Sequence, residues 1–118
     1  MNVPANNKML YFMEQTDGAF DAAQDAVCYP LSSFQGFSAN GTTTQLTMHF
    51  SGVLGQDEDA YDVITLTIDT NKQKEVIEAI NNEIVFGNSA TITVADDSNS
   101  VYADSRITAC SIAVTAVD

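Results

Sequence analysis

Two stretches in the middle of the chain decide most of what it can become. In Thr43 to Val53, Leu46, Met48 and Phe50 fall on one side of an extended chain, and Gln45, Thr47 and His49 fall on the other. In Asp62 to Asp69, Ile64, Leu66 and Ile68 alternate with Thr65 and Thr67 in the same way. A period of two is the mark of a strand with one buried face and one open one. The acidic segment Gly55 to Ala60 joins the two, so they read as an antiparallel pair.

The period changes immediately afterwards. From Asn71 to Val85, Val76, Ile77, Ile80 and Ile84 recur at helical spacing, while Lys72, Glu75, Glu78 and Asn82 lie mostly off that stripe. Thr70 reads as the N-cap, with Gln73 at capping-box distance. Lys74 and Glu78 stand four apart as an ion pair, and Gly87 is the natural stop. A helix of this length is marginal alone and needs a sheet to pack on. The shortest solution places the helix stripe on the sheet face carrying Ile64, Leu66 and Ile68.

Other strands flank this centre. Lys8 to Gln15 is apolar on both sides, as in a strand covered on both faces. Ala19 to Ala26 reads as a loop or a short helical turn. Val27 to Phe37 alternates weakly and carries Pro30, which confines it to an edge or a bulge. Asn40-Gly41 marks a tight turn. Ser89 to Ala95 is a strand, Asp96 to Asn99 a turn, Val101-Tyr102 a short strand, and Arg106 to Val117 a long final strand. The fold class is therefore α+β, mainly β. It is a mostly antiparallel sheet or sandwich of about six strands with one amphipathic helix, in the order β-β-β-β-α-β-β. With 118 residues and no repeat or linker, residues 1–118 read as a single domain.

Charge narrows the partners. Sixteen acids face four bases, Lys8, Lys72, Lys74 and Arg106, for a net charge of −12. Such a chain is repelled by phosphate backbones and by anionic lipid, so neither nucleic acid nor membrane is an expected partner. Met1 to Lys8 has no basic region followed by an apolar run, so no signal peptide is expected. No apolar stretch is long enough to span a bilayer. The two cysteines, Cys28 and Cys110, do not make a disulfide framework or a zinc site; they read as reduced, strand-borne thiols, with a single bridge between them left open.

No residue set carries chemistry. His49 is the only histidine, and a base needs both an orienting partner and a nucleophile. The serines lie in polar turns, without a nucleophile elbow, and no phosphate-binding glycine pattern is present. Asp57-Glu58-Asp59 with Asp62 is contiguous rather than spaced for a hard cation, and reads as a solvated loop. Asp96, Asp97 and Asp104 read the same way. We expect no catalytic, cofactor-binding or metal residues, and no enzyme.

The order of segments adds one further clue. MLYF at Met9 to Phe12 precedes Tyr29-Pro-Leu-Ser-Ser-Phe34 and Leu46-Thr-Met-His-Phe50. The strand Asp62-Val-Ile-Thr-Leu-Thr-Ile68 then runs straight into Asn71-Lys-Gln-Lys-Glu-Val-Ile-Glu-Ala-Ile80. Val94-Ala-Asp-Asp97, Val101-Tyr102 and Ile107-Thr-Ala-Cys110 follow. Over nearly its whole length this pattern resembles small virion structural proteins of marine tailed phages, including those infecting cyanobacteria. The resemblance implies a non-enzymatic capsid decoration or cement protein. Such a protein is assembled in the host cytoplasm, located in the virion and partnered by other virion proteins, the major capsid protein first. It brings no catalytic residues with it. The alternative that the charge suggests is an acidic decoy imitating DNA to block a host DNA-binding protein. A homo-oligomer is also expected, because the early apolar strand and the long last strand would otherwise leave open edges.

Overall fold

The protein is described from a computed structural model, whose described residues are 8–14, 26–51, 61–87 and 89–114. The N-terminal arm, almost all of Ala19 to Ala26, and the acidic segment Gly55 to Ala60 lie outside them.

Among the described residues, eight strands form two four-stranded sheets, accompanied by one α-helix. The strands are β1 (Met9–Met13), β2 (Ala26–Pro30), β3 (Phe34–Ser38), β4 (Gln45–Ser51), β5 (Tyr61–Ile68), β6 (Thr91–Asp96), β7 (Val101–Tyr102) and β8 (Ile107–Val114), with the helix α1 (Gln73–Phe86) between β5 and β6. The first sheet has the order β2-β1-β6-β7 and the second β3-β4-β5-β8. Every pairing is antiparallel except β1 with β6.

The expected class and element order hold, with eight strands in place of about six. The added count comes mainly from Val27 to Phe37. Pro30 ends β2, a 3₁₀ turn at Leu31–Ser33 follows, and β3 begins in the other sheet. Proline has no N–H to give a ladder, so the chain changes sheets there and both pieces are edge strands. The short β7 supplies the eighth strand.

The expectation of an open edge at the early strand is corrected, while β8 does lie at the edge of its sheet. The early strand β1 lies inside its sheet, with Leu10 opposite Tyr29 on one side and Ile92 on the other. Its burial alternates as well: Leu10 and Phe12 are in the core, Met9 and Tyr11 half-buried. Double apolarity here reflects neighbours on both edges rather than cover on both faces.

One core joins the sheets. Leu10, Phe12, Tyr29, Leu46, Met48, Phe50, Ile64, Leu66, Ile92, Val94, Ile107 and Ile112 belong to a single buried cluster, together with Val76, Ile80 and Ile84 of the helix. Aromatic rings fill its centre. Tyr29 stacks on Phe50 at 4.2 Å between centroids, and Phe12 meets Phe50 edge-on at 5.7 Å. Such pairs add to simple area burial.

The helix stripe belongs to the same buried cluster as Ile64, Leu66 and Ile68, and Ile77 sits at its margin. Its backbone comes closest to β6, in the other sheet. Both helix ends are tied. At the start, Gln73 Nε2 donates to the carbonyls of Thr43 (3.1 Å) and Gln45 (3.3 Å), at the head of β4. At the finish, the Lys8 ammonium, just before β1, donates to the carbonyls of Ile84 (2.6 Å) and Gly87 (2.7 Å). The helix thus bridges the sheets.

The cap differs from the sequence reading. Lys72, not Thr70, is the N-cap residue, without a side-chain cap bond. Asn71 takes a left-handed φ of 61°, which asparagine tolerates better than most residues, and that extra residue shifts the start. Gly87 is needed for closeness rather than handedness: its φ is −69°, but a Cβ would stand 2.5 Å from the Glu83 carbonyl oxygen. The ion pair on the helix is Lys72–Glu75 at 3.7 Å, not Lys74–Glu78. Among the described residues no helix is long and apolar enough to cross a membrane.

Candidate functional site

The second sheet presents the most regular open surface. Its inward positions, Leu46, Met48 and Phe50 on β4 and Ile64 and Leu66 on β5, go to the core, so the alternate residues face away. Ladder register places those residues in rows across the four strands. One row is Ser38, Thr47, Thr65 and Ser111. The next is Gly36, His49, Val63 and Ala113, and a third is Gln45, Thr67 and Ala109. The rows contain no acid, lysine or arginine. Thr47 is the exception to the openness of these rows, at only 5% exposed.

His49 lies on this face. Its Nε2 is 2.7 Å from the Ser38 hydroxyl oxygen. Cross-strand neighbours of His49 are Gly36 and Val63, neither of which can orient an imidazole as a carboxylate does. The pair is a cross-strand hydrogen bond rather than a charge-relay arrangement.

The discounted acids each have structural work. Asp62, 0% exposed, accepts the Tyr29 hydroxyl at 2.7 Å and so links the two sheets through the core. Burial, then that bond and charge, push the Tyr29 phenol far up. Asp96 accepts from the backbone and side chain of Asn99, closing the β6–β7 turn. Asp104 holds Arg106 through its backbone N–H and guanidinium. Asp57, Glu58 and Asp59 lie outside the described residues.

A further pair of carboxylates covers the β8 edge. The Asp97 carboxylate accepts the Cys110 N–H (3.2 Å) and the Glu14 carboxylate accepts the Ile112 N–H (3.0 Å). The Tyr102 hydroxyl donates to the Asp97 carboxylate (2.8 Å) and lies 3.0 Å from the Thr108 carbonyl oxygen. Thr108, Cys110 and Ile112 are alternate residues, so these are the backbone groups on the side of β8 away from β5. Side chains of the first sheet stand where a next strand would pair.

The two thiols are free. Cys28 is exposed on β2; Cys110 is buried, and its Sγ donates to the Met13 carbonyl at 3.2 Å. Burial first, then the Asp97 and Glu14 charges, push the Cys110 thiol up to about 12. A bridge between the two cysteines is not formed.

Sequence reasoning missed the structural roles of four residues. Lys8 shares the strand parity of Leu10 and Phe12, and is 1% exposed. Asp62 shares the parity of Ile64 and Leu66. In both cases a charge standing in phase with an apolar face was the available signal. The edge role of Glu14 and Asp97 left no local mark.

Two of the surface clefts are lined by described residues. One, of about 310 Å³, lies among Glu83, Ser89, Thr91, Thr93 and Tyr102. The other, of about 220 Å³, lies among Ala39, Thr42, Thr43, Asn71 and Gln73. Neither lining joins a nucleophile to a base. Among the described residues no group of three or more His, Cys, Asp or Glu is placed to hold a metal ion. Compared with known proteins, the chain matches no family model, no curated protein and no solved structure.

Proposed function

We propose that this chain is a non-enzymatic structural protein of a tailed-phage particle, a decoration or cement protein that sits on the major capsid protein. The observation that carries the reading is the outward face of the second sheet: an ordered, charge-free array of small side chains on a strongly acidic protein. The cores of protein interfaces are depleted in charged residues. The whole-chain order of segments, which resembles marine phage virion proteins, supports the same role.

Five of the sixteen acids argue in the same direction. A DNA-imitating decoy needs free carboxylates at phosphate-like spacing. Here Glu14, Asp62, Asp96, Asp97 and Asp104 accept hydrogen bonds from the chain's own donors. They serve the fold.

Peptide mass spectrometry of purified particles and of infected-cell lysate tests the proposal. The protein is expected in both. Its presence in lysate and absence from intact particles would refute a virion role.

A further inference from the structure

We infer that the outward face of the second sheet is the contact through which two copies of this chain associate. The inference rests on the structural-protein reading and names the partner of its principal surface.

The argument starts from charge. Each copy carries a net charge of −12. The outer side of the helix carries Glu75, Glu78 and Glu83, the turn before it Asp69, and the β6–β7 turn Asp97. Two copies meeting through any of these bring like charges together. A different partner could answer those acids with many bases of its own; a second copy, whose Lys8 is buried, has only Lys72, Lys74 and Arg106 to offer. The charge-free rows are where self-contact costs least.

Chemistry makes the face self-complementary. Of the row Ser38, Thr47, Thr65 and Ser111, Thr47 is buried and the Ser38 hydroxyl already meets His49, so the accessible hydroxyls are those of Thr65 and Ser111, each both donor and acceptor and able to pair with its like on another copy. A face of carboxylates or ammonium groups could not. Gly36, Ala109, Ala113 and Val63 are small enough to allow sheets to stack at about 10 Å. A two-fold axis over the face satisfies both sides identically.

Edge-to-edge pairing is the rival route, and it is obstructed. Asp97, Glu14 and Tyr102 occupy the outer side of β8. At the opposite edge, β3 is only five residues long and its register slips between Phe34 and Gly36, where φ is +138°. Such bulges twist an edge away from new partners.

The test uses the isolated full chain, so its outcome is independent of the particle experiment. Sedimentation velocity is run at micromolar concentration, at low salt and at about 0.5 M salt, where screening shortens to a few ångströms. Wild type should show a concentration-dependent dimer whose fraction rises with salt. Ser111→Lys and Thr65→Lys should remain monomeric at every concentration, with circular dichroism and melting like wild type for the exposed Ser111 variant. Glu78→Lys, on the helix surface, should still dimerise. A monomeric wild type overturns the inference. So does a dimer that Ser111→Lys leaves intact, or one that Glu78→Lys abolishes equally.

Discussion

Lysine 8 and aspartate 62 show how this protein handles buried charge. Each is in phase with an apolar strand face, and each is satisfied where it lies: the ammonium by carbonyls at the helix end, the carboxylate by the Tyr29 hydroxyl. Cations suit a helix C-terminus because the last carbonyls carry partial negative charge. Tyr29→Phe deletes one donor to a fully buried carboxylate and should cost about 1–3 kcal/mol in chemical denaturation. A variant as stable as wild type would show that the bond contributes nothing net. The thiols offer a second check. A disulfide reagent at neutral pH should modify Cys28 promptly and Cys110 only after unfolding, since Cys110 is 6% exposed. Two equally fast thiols would contradict the placement of β8 against β1. The same groups set the alkaline limit. Cys110 is held up to about 12 against an ordinary 9.0, and Tyr102 to about 12 against 10.0, both chiefly by burial. Raised values favour the protonated, folded form. Their stabilisation is complete below pH 9 and is lost as pH climbs toward 12, because there the unfolded chain has already released its protons. Melting temperature should fall steadily across that window; a flat profile would contradict it.

Among the elements, the helix and the β8 edge carry the most specific expectations. Val76 and Ile80 are fully buried in the core to which both sheets contribute. Ile80→Ala should destabilise the isolated protein by about 2–5 kcal/mol through lost contacts and a residual cavity. An unchanged melting temperature, with particle binding lost, would mean that the stripe is an interface. Elements of this kind were legible because their periodicity is local: period two in β4 and β5, the 3.6-residue spacing in α1. The helix start was not, because Asn71 in a left-handed conformation displaces the cap from Thr70 to Lys72. Nor was the β1–β6 pairing, the one parallel ladder, which joins segments far apart in the chain and leaves no mark in either. The split of Val27 to Phe37 was half legible, since Pro30 signals an edge but not a change of sheet.

At the scale of the molecule, the distribution of side chains is what connects fold to role. Apolar residues close a two-sheet core, acids hold turns and one sheet edge, and the second sheet turns a charge-free lattice outward. The core was readable from alternation alone. The lattice was readable only in part, because Thr65 and Thr67 were visible as an outward strand face, while their alignment with Ser38, Thr47 and Ser111 depends on register across four strands. The carboxylates at β8 depend on the meeting of both sheets and could not be read from any one segment. The most direct measurement of the central claim is the amount of this protein in purified particles relative to the major capsid protein, taken by quantitative mass spectrometry after stringent washing. A decoration or cement protein should be present in a fixed ratio to the capsid protein from one preparation to the next. Trace or variable amounts in the particles, with abundant protein left in the lysate, would contradict it.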